Sequence, residues 1–119
     1  MAPSRILIVD DDTQIRSFLI LAFENAGYLV KAASGGSDAI ALLSGESFDL
    51  MLSDIMMPGM NGHQLAQWVI THRPGTRTAL MSGFDAACES CELAPACQLI
   101  AKPFTSSEVV SFVEQVLQS

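Results

Sequence analysis

Short apolar runs alternate with amphipathic stretches along the whole chain. Ile6-Leu7-Ile8-Val9, Leu50-Met51-Leu52, Ala79-Leu80-Met81 and Leu99-Ile100-Ala101 carry no polar interruption, the pattern of strands buried on both faces of a parallel sheet. Five strands are predicted, at Arg5–Val9, Tyr28–Ala33, Asp49–Ser53, Arg77–Met81 and Gln98–Ala101. A helix from about Thr13 to Ala26 sets Ile15, Phe18, Leu19, Ala22 and Phe23 on one face, with Asp12 or Thr13 to cap its start and Gly27 to end it. Gly35-Gly36-Ser37 opens a second helix carrying Ala39, Ile40, Leu42 and Leu43, closed near Gly45. A third, from His63 to about Thr71, presents Leu65, Ala66, Val69 and Trp68 inward. A weak helix is expected from Phe84 to about Leu93, stopped by Pro95. Ser106 or Thr105 caps a last helix, in which Val109, Phe112, Val113, Val116 and Leu117 recur at helical spacing. Strand–helix alternation of this kind implies an α/β fold, a doubly wound five-stranded parallel sheet with helices on both faces.

The polar residue after each of the four runs is the chemically informative one. Asp10, Asp54, Ser82 and Lys102 stand at strand ends, and ligands of open parallel sheets bind just beyond the carboxyl ends of the strands. Acids, a hydroxyl and an ammonium brought together there suit a divalent cation and a phosphoryl group. Asp10, Asp11 and Asp12 are adjacent and repel one another unless a cation or a helix end compensates. Helix capping accounts for Asp12. Magnesium takes one or two carboxylates plus phosphate oxygens and water, which Asp10 or Asp11 with Asp54 would supply. Asp54 opens a stiff loop through Pro58-Gly59, a good place for a nucleophile, although taken alone a turn aspartate is the commoner explanation. Ser82 can donate to a phosphoryl oxygen or merely turn the chain. Lys102 can neutralise a phosphoryl oxygen or pair structurally with an acid.

Composition narrows the setting. The chain has 119 residues, half of them apolar, enough for one domain, 1–119, with a sizeable core. No apolar stretch approaches the roughly 20 residues that span a bilayer. The amino end lacks the pattern of a secretory signal, so a cytoplasmic protein without membrane contact is expected. Thirteen acids against six bases give a net charge of −7, and the six cations are scattered, which disfavours direct nucleic-acid binding. Cys88, Cys91 and Cys97 are odd in number and lack a nearby fourth metal ligand. Small core residues are the plain reading, and a thiol or zinc sensor the alternative.

Ile6-Leu7-Ile8-Val9-Asp10-Asp11, Asp54-Ile55-Met56-Met57-Pro58-Gly59-Met60-Asn61-Gly62, Leu80-Met81-Ser82-Gly83 and Lys102-Pro103-Phe104 together give the chain a family likeness. It resembles the receiver (CheY-like) domain of two-component response regulators over essentially its whole length. The resemblance implies the flavodoxin-like strand order 2-1-3-4-5 and a role as phosphoacceptor rather than enzyme. Asp54 would take a phosphoryl group from a sensor histidine kinase or a histidine phosphotransfer protein. Mg²⁺ would be held by Asp11, Asp54 and the Met56 carbonyl, with Asp10 acting through water. Ser82 would bond a phosphoryl oxygen and Lys102 would pair with it, and the Lys102–Pro103 bond would often be cis. Three departures stand out: Leu99 occupies the family's aromatic switch position, the segment between Ser82 and Lys102 is short and carries Pro95, and the charges of the common dimer pairing are missing. Met56 and Phe84 stand where the family tunes attack by water; neither can orient it, so slow self-dephosphorylation is expected. Two rivals are a haloacid-dehalogenase-like phosphatase with Asp10 as nucleophile and Asp12 as acid, and a receiver fold used only for protein binding.

Overall fold

The computed structural model describes residues 3–83 and 97–118. Strands β1 (Arg5–Val9), β2 (Leu29–Ala33), β3 (Leu50–Asp54), β4 (Arg77–Ser82) and β5 (Cys97–Ala101) form one sheet in the order β2-β1-β3-β4-β5. Every pairing is parallel. Helices α1 (Thr13–Asn25), α2 (Gly36–Gly45), α3 (Gly62–His72) and α4 (Ser106–Gln118) cover both faces. The expected helix over Phe84 to Leu93, Pro95, Cys88 and Cys91 lie outside the described residues.

The apolar runs are uninterrupted because neighbouring residues on one strand serve opposite faces. Ile6 and Ile8 pack with Leu50, Leu52, Ala79 and Met81 under α1 (Leu19, Phe23) and α4 (Val109, Val113, Val116). Leu7 and Val9 pack with Met51 under α2 (Ala39, Leu43) and α3 (Leu65, Val69). Ile6, Leu7, Ile8, Leu50, Met51 and Leu52 are fully buried, each such side chain contributing about 1.5–3 kcal/mol. β2 has one open edge, and there Leu29 is exposed.

Local chemistry sets the element ends. The Asp12 side chain accepts from the Gln14 and Ile15 amides, capping α1, and Gly27, at φ +96°, leaves that helix in a conformation other residues avoid. Tyr28 precedes β2 rather than belonging to it. Its amide bonds to the Phe23 carbonyl and its ring meets the Phe23 ring edge-on at 5.9 Å, so it closes the helix. Asp49 likewise stands just before β3, where its carboxylate accepts from the Arg5 amide at 2.7 Å. Thr105 and Glu108 cap α4 reciprocally. Phe18, expected on the buried face of α1, is 41% exposed and reaches sideways to Phe104, 6.4 Å between ring centres. Leu99 sits on β5 opposite Leu80 and is half-buried. Among the described residues no helix is long and apolar enough to cross a membrane.

Candidate functional site

The chain runs from β1 to β2 on one side and then crosses to β3 on the other, leaving a crevice at the carboxyl ends of β1 and β3. Val9 pairs with Ser53, so the next residue on each strand brings Asp10 and Asp54 to that crevice. One carboxylate oxygen from each of Asp10, Asp11 and Asp54 lies within 4.8 Å of the other two. Lys102, immediately beyond β5, reaches in with Nζ 3.2 Å from Asp54 Oδ1 and 3.5 Å from Asp10 Oδ2. Four residues separated by up to 92 positions thus meet at one mouth.

Their environments differ. Asp10 is fully buried, Asp54 nearly so, and Asp11 is exposed. Burial pushes the Asp10 carboxyl above its ordinary value; the Asp12 amide, bonded to Oδ1 at 2.9 Å, and the Lys102 ammonium pull it back down, while the Asp54 charge adds to the rise. Three acids facing a single ammonium leave the mouth negative, which suits a cation. The spacing is of the right order as well: at about 2.1 Å from an octahedral Mg²⁺, adjacent ligand oxygens lie roughly 3 Å apart and opposite ones roughly 4 Å. Asp12 caps α1, as expected, which leaves Asp10 and Asp11 to face Asp54.

Ser82 ends β4, one position past Met81, the partner of Asp54. It is half-buried, and its hydroxyl donates to the Gly83 carbonyl over a long 3.4 Å. The Lys102 amide bonds to the Ser82 carbonyl at 2.7 Å, tying the hydroxyl and ammonium positions together through the backbone. The Lys102–Pro103 peptide is cis. Met56 lies just past β3 and is 65% exposed. Phe84, the other position tied to water attack, lies outside the described residues.

The sequence reading missed three supports of the site. Asn61 and Gln64 form a reciprocal capping box that starts α3 at Gly62, one residue before the expected His63; the Asn-x-x-Gln spacing carried that signal. Gly62 touches the strand behind the site: a Cβ there would collide with the Asp54 carbonyl oxygen and lie 2.8 Å from Ile55 Cα. Arg16 donates from Nη1 to the Asp10 carbonyl at 2.7 Å.

Comparison with known proteins agrees with this geometry. Residues 6–114 match the model of the response regulator receiver domain. The response regulator receiver protein CpdR of Brucella abortus is 36% identical over 115 residues, 95% of this chain and 96% of that protein. The DNA-binding transcriptional regulator NtrC of Salmonella typhimurium is 33% identical over 94% of this chain, which spans only 24% of that regulator. Among solved structures, the CheY-like response regulator receiver domain protein of Methanospirillum hungatei superposes with a TM-score of 0.89 at 30% identity, covering 98% of this chain and 94% of the other. TrrA of Thermotoga maritima, a response regulator protein solved in complex with Mg(2+)-BeF, gives a TM-score of 0.85 at 26% identity over 95% of this chain and 98% of its own. From strand order to the match along nearly all its length, this chain belongs to the family of response regulator receiver domains of two-component systems.

Proposed function

We propose that the chain is a phosphoacceptor in which Asp54 takes a phosphoryl group from the phosphohistidine of a sensor histidine kinase or a histidine phosphotransfer protein. The observation that carries this is the meeting of Asp10, Asp11 and Asp54 within 4.8 Å with the Lys102 ammonium against two of them. An Asp54 oxygen attacks in line. The oxygen–phosphorus bond forms as the phosphorus–nitrogen bond breaks, and the electron pair stays on the imidazole. Lys102 turns from its carboxylate partners to a phosphoryl oxygen, and Ser82 exchanges its long bond to Gly83 for a second one. Asp11, Asp54 and the Met56 carbonyl would hold Mg²⁺, with Asp10 behind a water, and the ion would supply further neutralisation of phosphoryl charge. Catalysis is then positioning and charge stabilisation, which is what phosphoryl transfer demands of a protein. The domain assists its own phosphorylation and dephosphorylation and turns over no separate substrate. It acts in the cytoplasm through protein contacts rather than by binding nucleic acid directly, a reading supported by a net charge of −7 and six cations scattered along the sequence.

Incubation with acetyl phosphate or phosphoramidate and Mg²⁺, read by intact mass and peptide mapping, tests this. One phosphoryl increment on Asp54 is expected, suppressed by chelator and lost in Asp54→Asn. An increment on Asp10 would favour the phosphatase-like reading, and none at all would leave a domain used only for protein binding.

A further inference from the structure

We infer that Arg16 is a positioning residue for the cation site, fixing through the Asp10 carbonyl the turn that aims Asp10 and Asp11 at Asp54; this rests on the divalent-cation reading above. Each polar group of Asp10 has its own partner. The amide bonds to the Ala33 carbonyl of β2 at 3.2 Å. The carboxylate accepts from the Asp12 amide and faces Lys102. The carbonyl accepts from Arg16 Nη1 at 2.7 Å, while Nη2 reaches Thr13 Oγ1 at 3.3 Å. The first two bonds fasten the turn to the sheet and to its own next residues. Asp12, at the far side of the turn, is tied to α1 by its cap; among the described residues the Arg16 guanidinium is what ties the Asp10 carbonyl to that helix.

Asp11 gives this bond its importance. Its side chain is exposed, so packing does not aim it, and its direction follows from the backbone between Asp10 and Asp12. Ligands of a small, geometrically demanding cation need that direction fixed in advance. A forked, half-buried guanidinium holding a carbonyl at charge-assisted length is suited to the task.

The sign of one measurement separates positioning from mere presence of charge. A guanidinium beside a cation site repels the incoming ion, so charge alone predicts that removing Arg16 tightens Mg²⁺ binding. Positioning predicts the reverse, a loss of about tenfold, as when a group that orients a metal ligand is removed. The experiment is a backbone-amide NMR titration of chelator-stripped protein with MgCl₂, run on wild type, Arg16→Ala, Arg16→Met and Arg16→Lys, with the metal-free melting temperature recorded for each. Arg16→Met keeps the aliphatic stem and a good helix former where alanine lowers the metal-free melting temperature. The expected result is a Kd for Mg²⁺ raised about tenfold in the alanine and methionine variants. Lysine, with charge and one donor kept, should fall between them and wild type. Unchanged or tighter binding in both Arg16→Ala and Arg16→Met overturns the inference alone. A wild type whose amide shifts never saturate overturns the cation site, and the inference with it.

Discussion

At the amino ends of the strands, Glu46 is shared between Arg5 and Lys31, and the Asp49 carboxylate accepts from the Arg5 amide. Arg73 there clasps the end of α2, donating to the carbonyls of Leu43 and Ser44 at 2.8 and 3.3 Å. At the carboxyl ends, Asp10, Asp11 and Asp54 crowd together with Lys102 as the ammonium between two of them. At the floor Glu46 meets two cations and Arg73 two carbonyls, whereas at the mouth three acids share one ammonium. The excess of acid there leaves charge for a partner from outside the fold.

The largest expected effect belongs to the mouth. Lys102→Ala should slow phosphorylation by small-molecule donors on the order of 100-fold, the usual cost of removing a preorganised charge-stabilising donor. Stopped-flow or mass measurements would show it, and a rate within a factor of a few of wild type would erase the contrast between the two ends. Next is Gly62→Ala, whose methyl would strike the Asp54 carbonyl and Ile55. A loss of about 2–3 kcal/mol in urea unfolding is expected from such overpacking. Gly36→Ala is its comparison and should cost less, since the three atoms nearest its methyl are Met60 side-chain atoms rather than backbone, although Met60 Cβ, at 2.9 Å, must shift as well as Sδ.

On the floor, Arg73→Ala should cost about 1–2 kcal/mol of stability, because it leaves two carbonyls at a helix end without a cationic donor. Its phosphorylation rate should stay at the wild-type value; a slowed rate would mean that the two ends communicate. Replacing Met56 with asparagine, together with Phe84→Glu, should accelerate decay of the acyl phosphate by giving water groups that orient it. No acceleration would remove the case for a slow intrinsic decay. The smallest effect is pH-dependent. The bond from Lys31, aided by Arg5, holds the Glu46 carboxyl below the ordinary glutamate value of 4.5. Its stabilisation is therefore full above that value and is lost as the pH falls through the lowered one. Glu46→Gln should flatten the acid side of the stability curve in thermal melts while leaving the mouth's chemistry alone.

Much of this was readable in the chain. Parallel strands buried on both faces announce themselves as unbroken apolar runs; Asp10, Ser82 and Lys102 follow those runs at once, and Asp54 one residue later. Strand and helix limits agree to about a residue; Tyr28 falls outside β2 because its amide bonds back to Phe23 of α1, while Asp49, just ahead of β3, still bonds through its backbone to Arg5 and Arg77. What stayed hidden depends on three-dimensional approach. The need for Gly62 exists only once α3 lies against the Asp54 carbonyl. Arg16 looked like one more scattered cation, because a bond to a carbonyl six residues back leaves no periodic trace.

The division of β1 between two separate packing layers has a consequence for how such a chain can diverge. Ile8 belongs to the layer of α1 and α4, and Leu7 to that of α2 and α3, so volume changes on one side should add to those on the other with little coupling. One flank can drift to suit a new correspondent while its opposite keeps the carboxylate tips in alignment.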